Sequence, residues 1–146
     1  MKYSLRNVEN DEFEWLYQLN KESYRDIVVR QFGNWDEAFQ LDWFRTKWRK
    51  ARPAKIITIN GAAIGVVILE QRDDCDWLDE ILIEAEYRGR GIGTSLLKEL
   101  IADASARNRP LRLRVLHENH RAKELYERLG FVAIETLENH QLMEIE

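Results

Sequence analysis

The chain has 146 residues, of which 45% are hydrophobic and 33% are charged, and its formal net charge at pH 7 is −4. These values predict a single globular domain, residues 1–146, without the positive field that would attract nucleic acid. The lone Cys75 excludes an internal disulfide framework, and no metal-ligand spacing or membrane-length apolar run is present. Because the first residues also lack the apolar core of a signal peptide, we expect a cytoplasmic protein without a metal or membrane partner.

The hydrophobic periodicity predicts helices and strands that alternate along the chain. In chain order, the predicted elements are a strand 3–6, helices 11–21 and 36–50, strands 55–60, 62–70 and 77–84, a helix 92–107, a strand 111–116, a helix 120–129, and strands 131–136 and 141–145. Residues 23–35 are typical of a helix followed by a loop. Asn60-Gly61 predicts a hairpin turn, because both turn positions need a positive φ. This order indicates an α/β (α+β) sheet that begins antiparallel and contains one parallel crossover.

The chemistry is concentrated in the glycine-rich segment 88–94, Arg-Gly-Arg-Gly-Ile-Gly-Thr, which follows a predicted strand and opens a predicted helix. Backbone N–H groups at a helix N-terminus bind phosphate, and glycine lets the backbone come close to the anion. The segment is not a dinucleotide fingerprint, because Thr94 takes the place of the third glycine, and it has no P-loop lysine. The alternative interpretation is a turn that binds no ligand.

Two motifs resemble those of one enzyme family. Arg88-x-x-Gly91-x-Gly93 is similar to the acyl-CoA loop of the Gcn5-related N-acetyltransferase (GNAT) superfamily. The second motif, Asn119-x-x-Ala122-x-x-Leu125-Tyr126 followed by residues 127–131, is also similar to this superfamily, and both at this separation are highly specific. The resemblance implies a GNAT fold, with a mixed, mostly antiparallel sheet of about six or seven strands, about four helices, and splayed parallel strands at 77–84 and 111–116.

The resemblance also implies an acetyl-CoA site. The backbone of residues 81–83 would pair with the pantetheine arm, and residues 89–94 would hold the pyrophosphate. The residues assigned to the cofactor are Ile81, Leu82, Ile83, Arg88, Gly89, Arg90, Gly91, Ile92, Gly93, Thr94, Asn119 and Tyr126. Two of these assignments have structural alternatives, since residues 81–83 are also typical of a core strand and Asn119 of a helix N-cap.

Tyr126 matches the tyrosine that family members use as a general acid toward the coenzyme A thiolate. A phenol with an ordinary pKa of about 10 suits that role. The alternative is an aromatic side chain on the buried face of the predicted helix 120–129.

The incoming amine must lose a proton, so the site needs a base or a water relay. Arg114 stands where some family members, including those that acetylate protein amino termini, carry a glutamate, and that base is therefore missing here. The stretch Trp77-Leu78-Asp79-Glu80 resembles spermidine/spermine acetyltransferases, which carry adjacent carboxylates at the last two positions. We favour Asp79 as base and substrate contact, with Glu80 as the second candidate, against the alternative of a solvent-facing acidic pair.

The acceptor pocket is expected among the N-terminal helices, which are rich in tryptophan. Trp35, in a predicted loop, is the candidate for contact with an alkylammonium group. Trp43 and Trp48 lie with Phe39 and Phe44 at spacings that favour a buried stripe or a dimer face.

Together these features predict an acetyl-CoA-dependent N-acetyltransferase that acts on a primary amine of a small molecule, polyamine-like acceptors included, by direct attack in a ternary complex. A covalent acyl-cysteine is disfavoured, because the acidic loop around Cys75 raises a thiol pKa. The alternatives are a protein or peptide N-terminal or lysine acetyltransferase, and a non-catalytic acyl-CoA sensor. Since superfamily members are often dimers, analogy also allows a homodimer.

Overall fold

The computed structural model describes residues 2–49 and 53–146, so the predicted helix end at Lys50 lies outside the described residues. The strands are β1 Ser4–Asn7, β2 Ala54–Ile59, β3 Ala62–Gln71, β4 Asp76–Ile83, β5 Leu111–Leu116, β6 Val132–Thr136 and β7 His140–Ile145. The helices are α1 Phe13–Phe32, α2 Glu37–Arg49, α3 Ile92–Ala106 and α4 His120–Leu129, with short 3₁₀ turns at Asn10–Glu12 and Ala85–Tyr87. No helix in these two ranges is both long and apolar enough to span a bilayer.

The strands form a seven-stranded mixed sheet in the order β1-β2-β3-β4-β5-β7-β6. The pairs β1–β2, β2–β3, β5–β7 and β6–β7 are antiparallel, whereas β4 and β5 are parallel. The parallel ladder joins Asp76 to Leu111 and Trp77 to Arg112, although β5 continues to Leu116. This arrangement confirms the predicted GNAT fold with its short, splayed parallel pair.

The described chain divides into two compact units, with one boundary inside β3 and another inside β4. The first unit holds residues up to Ile68 and Glu80–Ile92. Its hydrophobic core is formed by α1, α2 and strands β2 to β4, through Leu16, Tyr17, Leu19, Phe44, Ala54, Ile56, Val66, Ile68 and Leu82.

The second unit holds Leu69–Asp79 and Gly93–Glu146. On β5, Leu111, Leu113 and Val115 are buried, as the alternation of the sequence predicts. Asp76 is fully buried and accepts hydrogen bonds from Arg107 and Arg109, which compensate for the burial of its charge.

The first helix differs from its prediction. The helix predicted over 11–21 does not end at 21 but continues to Phe32, and it ends where Gly33 adopts a φ of +95°. The helix followed by a loop that was predicted over 23–35 is thus confirmed, as part of the same helix. Its C-cap N–H donates to the Val29 carbonyl, the typical glycine C-cap arrangement. The predicted hairpin is confirmed, with φ of +52° at Asn60 and +82° at Gly61.

The predicted buried stripe on α2 is correct for only half of its members. Phe44 is 5% exposed and Trp48 is half-buried, but Phe39 is 62% and Trp43 44% exposed. The prediction that Trp43 is buried in the core is therefore wrong, because α2 turns its other aromatic pair toward α1, where Phe44 packs against Phe13 and Tyr17. The alternative of a dimer face stays a prediction.

Candidate functional site

The glycine-rich loop before α3 has the conformation that its sequence predicts. Gly89 and Gly91 have φ of +75° and +81°, a region that residues with side chains rarely adopt. Apart from the glycines themselves and their chain neighbours, no heavy atom of the described residues lies within 4 Å of the Cβ positions that side chains would occupy here. Because α3 begins at the next residue, Ile92, its first N–H groups lack acceptors within the helix. The loop therefore offers the open, donor-rich surface that a phosphate group requires.

The two arginines of this loop contact the chain within the first unit. Arg88 donates from Nε to the Ile83 carbonyl at 2.8 Å and from Nη2 to the Ser23 hydroxyl at 3.0 Å. The guanidinium of Arg90 lies over the Tyr87 ring, 5.3 Å from its centroid. Arg88 thus connects the loop to the end of β4 and to α1, and its expected contact with phosphate remains a prediction.

The stretch Ile81–Ile83, expected to bind the pantetheine arm, approaches β3 closely. A Cβ at Gly65 would collide with the carbonyl oxygen of Leu82 and lie 3.2 Å from the Cα of Ile83. The Glu84 N–H donates to the Ile64 carbonyl at 2.8 Å. The side chain of Leu82 belongs to the core of the first unit, so the structural interpretation of this residue is correct. The expected contact between the backbone of residues 81–83 and the pantetheine arm remains a prediction.

Glu80 lies in a small recess of the first unit, which we call the Glu80 recess. Its lining comprises Leu16, Asn20, Phe44, Lys47, Trp48, Val66, Ile68, Glu80 and Leu82. The Tyr24 hydroxyl donates to Glu80 Oε1, and Lys47 Nζ lies 4.0 Å from Glu80 Oε2. The side chains of Lys47 and Glu80 are each only 12% exposed. Glu80 is thus a largely buried carboxylate that already binds one cation.

Two further polar groups line the Glu80 recess. Asn20 is 6% exposed, and the indole N–H of Trp48 is buried without an acceptor in the described part of the chain. The free space left among the lining residues is close to that of one water molecule. Sequence reasoning missed Tyr24, Lys47 and Asn20, because only the packing of α1 and α2 against β4 brings them to Glu80.

Asp79 belongs to the second unit and is half-buried. Successive residues of a strand point to opposite faces, so its carboxylate does not share the face of Glu80. Strand alternation therefore predicts that the two adjacent carboxylates lie on opposite faces. The role of Asp79 as base remains a prediction.

In the second unit, α4 carries the remaining predicted residues. Asn119 Oδ1 accepts a hydrogen bond from the Ala122 N–H at 3.3 Å, which confirms the predicted N-cap. Tyr126 is half-buried and packs against Phe131, with 5.6 Å between the ring centroids. Gly130 ends the helix at a φ of +106°, as predicted. Local packing thus fixes Tyr126 on this helix, and its proton-transfer role remains a prediction.

Trp35, the candidate acceptor contact, lies in the loop between α1 and α2. Its indole N–H donates a hydrogen bond to Glu37 Oε2 at 2.8 Å. Glu37 also accepts a hydrogen bond from the Tyr17 hydroxyl at 3.0 Å and forms an ion pair with Lys21 Nζ at 2.9 Å. Burial, together with Glu37, raises the pKa of Tyr17 to about 12, so its phenol stays protonated. These contacts hold the loop in place, and the expected role of Trp35 in acceptor binding remains a prediction.

Cys75 is buried, and its burial, with a smaller contribution from Asp74, raises the pKa of the thiol. The sequence prediction of a raised thiol pKa is therefore confirmed, although burial rather than the acidic loop is its main cause. Such a thiol is a poor nucleophile at neutral pH.

Comparison of the sequence with known proteins finds one matching family and several relatives. The model of the acetyltransferase (GNAT) family matches residues 7–131. An uncharacterized N-acetyltransferase of Methanocaldococcus jannaschii, MJ1207, is 32% identical over 88% of this chain and 60% of its own length. Thialysine N-epsilon-acetyltransferase of Bos taurus is 42% identical over 37% of this chain and 32% of its own. The chain thus spans less than two thirds of either relative.

Among solved structures, the fold is similar to that of PaiA N-acetyltransferase from Thermoplasma acidophilum in complex with coenzyme A. The TM-score is 0.79, at 20% sequence identity, and the match covers 100% of this chain and 99% of the other. At this identity the likeness concerns the fold.

Proposed function

The chain belongs to the GNAT acetyltransferase family, and from this premise we propose that it is an acetyl-CoA-dependent N-acetyltransferase acting on a primary amine of a small molecule. The observation that carries the proposal is the family match over residues 7–131, which includes a glycine loop whose open, left-handed glycines suit a phosphate. Polyamine-like amines are among the acceptors we propose, on the resemblance of residues 77–80.

The residues that would hold acetyl-CoA are those of the loop 88–94 and the backbone of residues 81–83. When bound, acetyl-CoA supplies the acetyl group as a thioester. Loop N–H groups at the start of α3 stabilise negative charge on the pyrophosphate. Arg88 keeps the loop attached to β4 through the Ile83 carbonyl.

Glu80 supplies the negative charge for recognition of the acceptor. Its carboxylate is largely buried among apolar side chains, where an ammonium group is a favourable partner. Tyr24 donates to one of its oxygens and thereby fixes the orientation of the carboxylate. We therefore assign ammonium binding to Glu80, in addition to the base role that its sequence position suggests.

The acceptor nitrogen must be neutral when it attacks, so a proton has to leave it. Glu80, which binds the ammonium form, is the nearer acceptor of this proton, and we assign Asp79, on the opposite face of the strand, a part only through a water relay. Tyr126 holds a proton on its phenol oxygen and can deliver it to the leaving thiolate. With a buried, poorly nucleophilic Cys75, the transfer is direct and forms no acyl-enzyme.

The test measures thiol release from acetyl-CoA with a panel of monoamines, diamines, spermidine, free amino acids and peptides with free amino termini or lysines. We expect turnover with small amines and an increase of at least tenfold in amine KM for Glu80→Gln. Glu14→Gln, which changes an exposed carboxylate on α1 that accepts a hydrogen bond from Gln18, is the matched control. Turnover confined to peptides would favour the protein acetyltransferase alternative, and acetyl-CoA binding without any turnover would favour a sensor.

A further inference from the structure

We propose that Lys47 is a resident cation of the Glu80 recess, which competes with the acceptor's ammonium group and ranks acceptors with a second positive charge, polyamine-like amines included, below monoamines of the same length. This inference rests on the proposed function, in which Glu80 binds that ammonium group. Lys47 would then determine specificity without taking part in the chemistry.

The contacts of Lys47 place its charge where an acceptor would have to bind. Its Nζ lies 4.0 Å from Glu80 Oε2, and both side chains are nearly excluded from solvent. Lys47 comes from α2 and Glu80 from β4, so the pair forms only when α2 packs on the sheet. An ammonium group that approaches Glu80 therefore meets a carboxylate that already has a counter-ion.

The surroundings leave no place for two cations. Leu16, Phe44, Val66, Ile68 and Leu82 make most of the wall apolar, and the free space is close to that of one water molecule. Two ammonium groups near one carboxylate in such surroundings repel each other strongly. An incoming ammonium group must therefore displace Lys47 from Glu80.

The structure offers Lys47 a second partner. Its Nζ lies over the ring of Trp43, 4.8 Å from the centroid, and Trp43 is 44% exposed. A lysine has a flexible four-carbon stem, and an aromatic face attracts a cation. Lys47 can thus keep its contact with Trp43 when an ammonium group displaces it from Glu80.

The position of Lys47 predicts which acceptors bind more weakly. For a monoamine, the only unfavourable step is displacement of Lys47 from Glu80. A diamine of the same length also brings a second ammonium group toward the displaced Lys47, and repulsion between the two charges weakens its binding further. Removal of the Lys47 charge should therefore improve both acceptors, and the diamine more.

The experiment compares 1-aminobutane with 1,4-diaminobutane as acceptors for the parent and for Lys47→Met, Lys47→Arg and Lys21→Met. Amine Kd values are measured by calorimetry on the coenzyme A-saturated protein, and kcat and KM by thiol release. Lys21→Met is the matched control, because Lys21 forms an ion pair with Glu37 that does not line the Glu80 recess. Thermal melting of each variant shows whether it is folded.

For Lys47→Met we expect an amine Kd at least fivefold lower for 1-aminobutane and at least tenfold lower for 1,4-diaminobutane. The kcat and the KM for acetyl-CoA should stay within twofold of the parent, and Lys47→Arg and Lys21→Met should retain the parent's Kd. An unchanged or weaker affinity in a folded Lys47→Met would overturn the inference, and so would an equal gain for both amines.

Failure of this inference can be told apart from failure of the proposed function. If Glu80→Gln weakens amine binding but Lys47→Met does not strengthen it, only the role of Lys47 is wrong. If Glu80→Gln leaves amine binding unchanged, the ammonium site itself is wrong, and the competition inferred for Lys47 is wrong with it.

Discussion

The indole N–H of Trp15 donates a 2.6 Å hydrogen bond to Oε1 of Glu84, a residue 69 positions later in the chain. This bond joins the first turn of α1 to the end of β4, just before the glycine loop. Arg88 makes a second connection from the loop to α1, through the Ser23 hydroxyl. The conformation of the proposed phosphate site therefore depends on α1 as well as on the loop itself.

Trp15→Phe should weaken both the fold and acetyl-CoA binding. The substitution leaves the carboxylate of Glu84 without its donor, and the loss of a hydrogen bond to a charged group costs about 1.5–3 kcal/mol. Urea unfolding should show a loss within this range, and calorimetry should show an acetyl-CoA Kd raised severalfold. Trp43→Phe is the control, because this side chain is exposed and should change neither quantity. Equal unfolding free energies and equal acetyl-CoA Kd values for the two variants would show that the Trp15–Glu84 hydrogen bond does not support the loop.

Gly91→Glu should abolish acetyl-CoA binding, with a Kd raised at least 100-fold. The new side chain would occupy the open space beside the loop, and its charge would repel the phosphates. Gly61→Glu is a closely matched control, because Gly61 has a φ of +82°, against +81° at Gly91, and also has nothing within 4 Å of its Cβ position. Both variants should lose similar stability, since both force a side chain into the left-handed region. Comparable acetyl-CoA affinity in the two would exclude the loop as the phosphate site.

Tyr126→Phe should lower kcat by about 100-fold, in the range ascribed to general acid catalysis. The KM for acetyl-CoA and the melting temperature should change little, because phenylalanine retains the packing against Phe131. Tyr3→Phe provides a tyrosine control in another part of the chain and should keep full activity. Pre-steady-state kinetics establish whether chemistry limits turnover. An unchanged chemical rate in Tyr126→Phe would remove the general acid assignment.

Stability should fall as the pH decreases from about 6.5 to about 4. Burial, with contributions from Arg114 and His117, lowers the pKa of His140 to about 4 in the folded protein. The unfolded chain therefore takes up this proton first, and the free energy of unfolding declines by up to about 1.4 kcal/mol per pH unit from this group. Urea unfolding across this range should show a flatter profile for His140→Gln. His120→Gln, which changes an exposed histidine of α4, is the control for loss of a histidine side chain.

The features that could be predicted from sequence are those set by local backbone chemistry. The turn at Asn60-Gly61, the N-cap at Asn119 and the C-cap at Gly130 each depend on a few neighbouring residues. The order of helices and strands along the chain and the parallel pairing of β4 with β5 were also predictable, whereas the order of strands in the sheet comes from the structure.

The face that α2 buries was not predictable, because its sequence carries two aromatic pairs at the same spacing of four residues. Phe39 with Trp43 and Phe44 with Trp48 both fit an amphipathic helix. Contact with Phe13 and Tyr17 of α1 selects the second pair, and this choice exists only in the packed structure.

The polar contacts of Glu80 were also not predictable, because they too form only when the helices pack on the sheet. Tyr24 and Lys47 lie on different helices, far from Glu80 in the sequence, and neither stands in a recognisable motif. Both positions match family carboxylates, and Asp79 ranked first because strand alternation places it on the side of Ile81 and Ile83. The structure gives Glu80 two partners that the sequence did not indicate, Tyr24 and Lys47.

The burial of Cys75 has a practical consequence for every thiol-release measurement described above. Disulfide reagents such as dithiobis-nitrobenzoate react with thiolates, and this residue is the only cysteine of the chain. At 2% exposure and with a raised pKa, its sulfur should react slowly while the protein is folded. The thiol of the folded protein should therefore add almost nothing to the assay signal. One fast-reacting thiol per chain would instead show that the protein has unfolded.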